Sequence, residues 1–176
     1  RVTMLTMLHQ YVPSCGDLLA RPSVAKLAAE LLGTDVVPRS AIYLNKTPGS
    51  EAVPRHQDGH YFKISPCKAV TIWLALDDVD EENGCLYYEP GSHKQGLLDH
   101  QATAHQWIPN RAMEDGKSAN VRPAILSAGD AVVHHAHCVH YSGENLSPTR
   151  SRRAIAFVFF SSEADFLEPL LCAKTR

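Results

Sequence analysis

The sequence predicts an all-β core with flanking helical structure, built as an antiparallel sandwich or barrel. Three observations carry that expectation. Short β-rich runs punctuated by Pro, Gly and Asn fill most of the chain after Gly33. Residues 70–77 alternate, with Val70, Ile72, Leu74 and Leu76 on one side and Thr71, Trp73, Ala75 and Asp77 on the other, the period of a strand with one face in a core. A helical spacing of apolar residues occurs clearly only near the N-terminus.

That helix comes first in chain order. Val24, Leu27, Ala28, Leu31 and Leu32 fall on one face, Pro22 sits at the permitted first turn, and Gly33 is a natural stop. The strands that follow are expected at residues 40–45, 69–76, 85–88, 124–126, 130–133 and 154–160. Between the third and fourth of these, residues 99–122 are polar enough to form a long surface excursion, with His100, His105, Trp107 and Arg111 as a candidate lid.

At 176 residues and 44% hydrophobic content, the chain suffices for one domain, 1–176, and not for two ordinary ones. It opens on Arg1 rather than Met, so further N-terminal sequence is expected. A formal charge of −2 offers no broad positive field for nucleic acid or an anionic membrane, and no apolar run reaches the ~20 residues that span a bilayer. The expected partner is a small molecule and the expected state a monomer or homodimer. Five scattered cysteines without a C-x-x-C pair suggest neither a disulfide framework nor a zinc knuckle, which fits a cytoplasmic protein. Ten histidines, four of them between His134 and His140, are an excess that hints at chemistry.

The most informative string is Arg55-His56-Gln57-Asp58-Gly59-His60. On an extended segment His56 and Asp58 project to the same side and could grip one metal, while Gln57 points the other way. A lone His-x-Asp is more often a loop histidine beside a solvated aspartate. Downstream, however, residues 131–133 lead into His134, His135, His137 and His140, any of which could add a third ligand. Two imidazoles and one carboxylate that leave positions open are the ligand set of non-haem Fe(II) oxygenases, whereas structural zinc is closed by four. Arg150, Arg152 and Arg153 precede an apolar strand, and a guanidinium there could hold a carboxylate in two-pronged fashion. Ferrous iron, one aspartate, dianionic 2-oxoglutarate and one arginine sum to neutrality, as a buried site requires.

With these residues in view the chain resembles the phytanoyl-CoA dioxygenase family. His56-Gln57-Asp58, Trp73-Leu74-Ala75-Leu76-Asp77-Asp78, Gly84-Cys85-Leu86, Pro90-Gly91-Ser92-His93-Lys94, Gly129-Asp130, His140-Tyr141-Ser142-Gly143-Glu144-Asn145 and Arg152-Arg153-Ala154-Ile155 occur in that family's order, over roughly residues 40–160. The resemblance implies a double-stranded β-helix, the cupin-like jelly roll, with Fe(II) and 2-oxoglutarate as cofactor and co-substrate and O2 as oxidant. Position by position it implies His56, Asp58 and His140 as metal ligands and catalytic centre. It implies Arg152 for the distal carboxylate of 2-oxoglutarate, Ser142 assisting it, and Trp73 lining the pocket. Lys46 and Tyr43, on the strand before the His-Gln-Asp turn, fall where the family often places co-substrate or substrate contacts. His134, His135 and His137 compete with His140, and Arg150 and Arg153 with Arg152. The Ser-Gly-x-Asn run after His140 favours that residue.

A retained Asp58 favours hydroxylation of an unactivated C–H bond over halogenation, since related halogenases replace that carboxylate with a small residue. Two rivals stand beside a small-molecule hydroxylase: a catalytically silent jelly roll that binds a metal or ligand, and a protein hydroxylase on the same scaffold. The acidic run 77–84 lacks a calcium-loop register and reads as a surface turn. The cysteines read as small buried side chains.

Overall fold

The computed structural model describes residues 2–105, 108–112 and 120–167. Strand β1 (Val2–Leu5) is followed by helices α1 (Pro13–Leu19) and α2 (Pro22–Leu32). Pro22 lies in the first turn of α2 and Gly33 closes it at φ 67, the left-handed conformation that a residue without Cβ takes most easily. Helix α1 had a usable signal in Pro13, but it has seven residues with Gly16 among them, too little for a periodic pattern.

Next come β2 (Val36–Lys46), β3 (Val53–His56), the single turn α3 (Gly59–Phe62), β4 (Ile64–Ser65), β5 (Ala69–Ala75) and β6 (Leu86–Tyr88). A hairpin of β7 (His100–Ala102) and β8 (Asn110–Ala112) lies in the expected excursion, followed by β9 (Arg122–Ala124), β10 (Ala131–His135), β11 (His140–Ser142), β12 (Arg152–Ser161) and β13 (Asp165–Phe166). Trp107 and the Arg111 side chain, two of the lid candidates, lie outside the described residues. The expected strand at 124–126 is displaced: Ala124 ends β9, and Leu126 makes only an isolated bridge to Val79.

Two antiparallel sheets form a double-stranded β-helix. One has the order β1-β2-β12-β5-β10 and the other β3-β11-β6-β9. The five-stranded sheet is covered on both faces, which corrects the one-sided reading of residues 70–77. Ala41, Val70, Ile72, Ile155, Phe157 and Phe159 pack outward against Cys15, Leu19 and Ala28 of the helical layer. Trp73, Ala75, Ala154 and Ala156 face the interior between the sheets, against Cys85, Leu86 and Tyr88. Each central strand therefore has two apolar sets of alternate residues, as expected for strands buried on both sides.

This alternation places the chemistry. Along β12, residue 152 shares the interior side with 154 and 156, and Arg153 turns out to solvent, where its guanidinium holds Asp77 at 2.5 and 2.9 Å. Register pairs Arg152 with Lys46 and Ala156 with Trp73. The 77–84 run is an arginine-neutralised turn, with Arg150 on Asp80 at 2.7 and 3.1 Å.

Candidate metal centre and co-substrate pocket

Both candidate histidines stand at the ends of short strands of the smaller sheet, and the pairing of β3 with β11 sets His56 opposite His140. Strand β3 stops at His56. Asp58 has φ −55 and ψ −36 and caps α3, so it reaches the histidines through a helical turn and not through strand alternation. The result is nevertheless convergent. One ligand atom from each of His56, Asp58 and His140 lies within 4.8 Å of the others. The His56 and His140 Nε2 atoms are 3.7 and 3.8 Å from Asp58 Oδ1.

The remaining ring nitrogens fix the tautomers. His56 Nδ1 lies 2.7 Å from the Pro54 carbonyl and His140 Nδ1 3.0 Å from the Cys138 carbonyl. A carbonyl only accepts, so each Nδ1 carries the hydrogen and each Nε2 lone pair points to the shared space. Burial lowers the pKa of both histidines, that of His140 well below the usual value, so both are neutral at neutral pH. Burial pushes the Asp58 carboxyl up, but hydrogen bonds from His134 and Thr71 favour its ionised form, and its pKa lies below the usual carboxylate value. Neutral imidazoles and an ionised carboxylate are the protonation states a divalent metal needs.

Gln57, left unassigned by the sequence, is fully buried and acts as a clamp. Its amide nitrogen donates to Gly96 and His137 carbonyls at 2.9 and 2.7 Å, and its oxygen accepts from Leu98 N–H at 2.8 Å. Arg55 is tied to Glu89 through Nε and Nη2 at 2.5 and 2.7 Å. These contacts hold the turn between the two near ligands from both sides.

The triad opens into a cavity of about 170 Å3 that is continuous with solvent and whose apolar wall includes Ile42, Leu44, Phe62, Leu86, Ile108 and Val158. Arg152, only 4% exposed, lines it with its guanidinium carbon 5.0 Å from the Trp73 ring. Burial lowers the pKa of Arg152 to about 10, which leaves it cationic at neutral pH. Buried polar atoms without a hydrogen-bond partner concentrate here: Arg152 Nε and Nη1, Ser142 Oγ, Trp73 Nε1 and Asn45 Oδ1 all belong to residues of the cavity wall. Folded proteins rarely leave such groups unsatisfied, and a cluster dominated by donors around a cation is the complement of a carboxylate. This fits 2-oxoglutarate, and the triad fits iron.

Lys46 also lines the cavity, but its ammonium is committed to the Glu51 carbonyl at 2.7 Å and to the Gly143 carbonyl. Burial first, and then neighbouring Arg152, lower its pKa to about 7. Tyr43 is the expected contact that the geometry does not deliver. It sits one residue out of phase with Ile42 and Leu44 and packs against the helical layer, on the other face of the sheet from the cavity. His135 stacks edgewise with His137 at 5.2 Å, and neither lines the cavity. His134 does line it, and touches Asp58 and not the shared space.

The scaffold and the side chains together define a class: a cupin-like jelly roll with a two-histidine, one-carboxylate centre beside a buried arginine. Comparison with known proteins narrows the class. The family model described as phytanoyl-CoA dioxygenase (PhyH) matches residues 3–154, and this chain belongs to that family. It is similar to phytanoyl-CoA dioxygenase 1 of Oryza sativa subsp. japonica, with 32% identity over 162 residues, covering 89% of this chain and 56% of that protein. With the peroxisomal phytanoyl-CoA dioxygenase of Homo sapiens the identity is 28% over 156 residues, 84% of this chain and 46% of that one. The chain thus spans about half the length of these curated relatives.

Solved structures agree. The epimerase SnoN, in complex with Fe3+, α-ketoglutarate and nogalamycin RO, superposes with a TM-score of 0.81 at 25% identity, over 99% of this chain and 72% of that one. EvdO2 from Micromonospora carbonacea var. aurantiaca, complexed with 2-oxoglutarate, gives 0.77 at 28% identity, over 96% and 71%.

Three contributors were not assigned from sequence. Thr71 and Tyr88 bear on the centre through hydrogen bonds to Asp58 and His134, and Gln57 through its clamp. Thr71 was findable, since it shares a strand face with Trp73. Tyr88 had no local signal, because its partner is 46 residues away.

Proposed function

We propose that this chain is an Fe(II)- and 2-oxoglutarate-dependent dioxygenase domain that hydroxylates an unactivated C–H bond of a small molecule, with 1–176 acting as one domain. The observation that carries the reading is the placement of unpartnered donors on Arg152, Ser142 and Trp73 in the same cavity as the neutral-His, ionised-Asp triad. A catalytically silent jelly roll has no need of that conjunction.

His56, Asp58 and His140 would hold ferrous iron, which together with 2-oxoglutarate would supply O2 activation coupled to loss of CO2, with succinate as co-product. The protein's part is positional. His56 and His140 present Nε2 lone pairs because their Nδ1 hydrogens are spent on backbone carbonyls. Arg152 receives the distal carboxylate of the co-substrate, with Ser142 donating beside it and Trp73 as a flat wall. The apolar residues on the rest of the wall exclude water from the reacting atoms and give a carbon skeleton a surface to pack on. A carboxylate retained at Asp58 would favour transfer of a hydroxyl over transfer of a halide. One structural neighbour is named as an epimerase, so the fate of the substrate carbon must be read from product analysis.

The described cysteines Cys15, Cys67, Cys85 and Cys138 are all free, which suits a reducing compartment such as the cytoplasm. No helix among the described residues is long and apolar enough to cross a membrane. Net charge and cavity both favour a small-molecule partner over nucleic acid.

The test is independent of the substrate. Anaerobic addition of Fe(II) and then 2-oxoglutarate should produce a weak visible charge-transfer band, lost in His140→Ala and in Arg152→Ala and kept in His135→Ala. Folded wild-type protein without the band eliminates the reading.

A further inference from the structure

Asp58 divides its two oxygens between the two sheets. Oδ1 faces the His56 and His140 imidazoles of the smaller sheet. Oδ2 faces the larger sheet, where Thr71 Oγ1 donates to it at 2.8 Å and His134 Nε2 lies 3.1 Å away. Thr71 and His134 are register partners on β5 and β10, so the ladder itself delivers both donors to one oxygen. An ionised carboxylate accepts only, so His134 carries its hydrogen on Nε2. Its Nδ1, 3.0 Å from the Tyr88 hydroxyl, is then the acceptor and Tyr88 the donor. Tyr88, His134 and Asp58 form one directed chain, O–H to N and N–H to O−, with Tyr88 and His134 buried and the Asp58 side chain 21% exposed at the end that opens on the cavity. The His134 ring also packs on the distal ligand, with centroids 4.4 Å apart.

We propose that His134, its tautomer fixed by Tyr88, is a positioning residue that engages Asp58 Oδ2 and so leaves Oδ1 as the single oxygen offered to the metal. The proposal rests on the metal-site reading above and adds to it a residue outside the ligand set. Without the donor at 134, Thr71 alone restrains the carboxylate, which can rotate about its bond to present both oxygens or neither. Partners of this kind that hold a ligand from behind change metal affinity by roughly 10- to 100-fold.

The experiment uses the whole chain, metal-free and anaerobic, titrated with Co(II) while the visible d–d spectrum is recorded, with thermal unfolding of the metal-free protein as the fold control. His134→Phe keeps the ring and removes the donor; Co(II) affinity should fall about 10- to 100-fold with a changed band shape. His134→Gln places an amide donor near the Nε2 position and should recover affinity to within about 3-fold of wild type, with the wild-type band. Tyr88→Phe leaves the imidazole but frees its tautomer, and should weaken binding by about 3- to 10-fold. Wild-type affinity and spectrum in His134→Phe overturn the proposal. So does a Gln variant as weak as Phe, which would make His134 a ligand in its own right. Should His134→Phe not fold, an unchanged Tyr88→Phe overturns it equally. Wild-type protein that binds no Co(II) removes the metal site itself, a different result from equal binding by wild type and variant.

Discussion

Replacing Arg152 with methionine should make the ligand-free protein more stable while removing its response to 2-oxoglutarate. The guanidinium is 4% exposed and two of its nitrogens have no hydrogen-bond partner. Its pKa lies at about 10 against an ordinary 12.5, which at ~1.4 kcal/mol per pH unit corresponds to about 3 kcal/mol of uncompensated burial. Contact with the face of Trp73 returns about 1 kcal/mol of that when the cation is present, and is lost in the variant. Methionine, unbranched and of similar reach, fills the space without a charge. The balance is a gain of about 2 kcal/mol, or roughly 4 to 8 °C in Tm for a chain of this length. In the presence of Mn(II), 2-oxoglutarate should raise the Tm of the wild type and leave that of Arg152→Met unmoved, since the distal carboxylate then has no guanidinium to meet and the Lys46 ammonium is committed to backbone carbonyls. Scanning fluorimetry with and without the two ligands reads both effects. A variant that melts lower than wild type without ligand, yet still shifts with 2-oxoglutarate, refutes the reasoning.

Other predictions are simpler. Tyr43→Phe should leave 2-oxoglutarate affinity within about 2-fold by the same assay, because Tyr43 packs on the helical side of the sheet; a 10-fold loss would contradict that placement. Gly84→Ala should destabilise by about 2 kcal/mol or more in urea unfolding, since φ is +82 and a Cβ would lie 2.7 Å from Lys46 Cδ and 2.8 Å from the Gly143 carbonyl oxygen. Acid should weaken the metal-free protein below the ordinary histidine pKa of 6.5. His56 and His140 have lowered pKa values when folded, so the unfolded chain binds protons first, and stability is full above 6.5 and falls as pH drops below it. The urea midpoint should therefore be lower at pH 5.5 than at pH 7.5, and replacing both histidines with glutamine should reduce that dependence, the remainder coming from other histidines with lowered pKa values such as His135 and His137.

The triad was legible because its members sit in short motifs with recognisable neighbours, and α2 because proline and glycine punctuate a clear helical period. The choice among Arg150, Arg152 and Arg153 was left open by motif spacing. The structure puts Arg152 alone of the three on the cavity wall: Arg153 has the opposite parity along β12 and pairs with Asp77, and Arg150, before the strand begins, is held by Asp80. The same count excludes Tyr43 from the cavity. Sequence gave the reach of Asp58 for the wrong reason: extended geometry would align it with His56, whereas the chain turns helical at Asp58 and achieves convergence differently. Strands β3 and β11, at four and three residues, are too short to show a period. His134 was visible as one of four histidines, but its pairing with Tyr88 depends on long-range packing that no local pattern encodes.

The double burial of β12 and β5 also partitions mutational freedom. Substitutions at 155, 157 and 159 are felt by the helical coat, and those at 154, 156 and 158 by the interior between the sheets, although all six share one ribbon of backbone. The outer layer can accordingly be remodelled, or exchanged for a different covering, while the cavity lining stays as it is. A one-residue deletion within that ribbon would do the opposite, transposing the two inventories at a stroke and turning phenylalanines into the cavity.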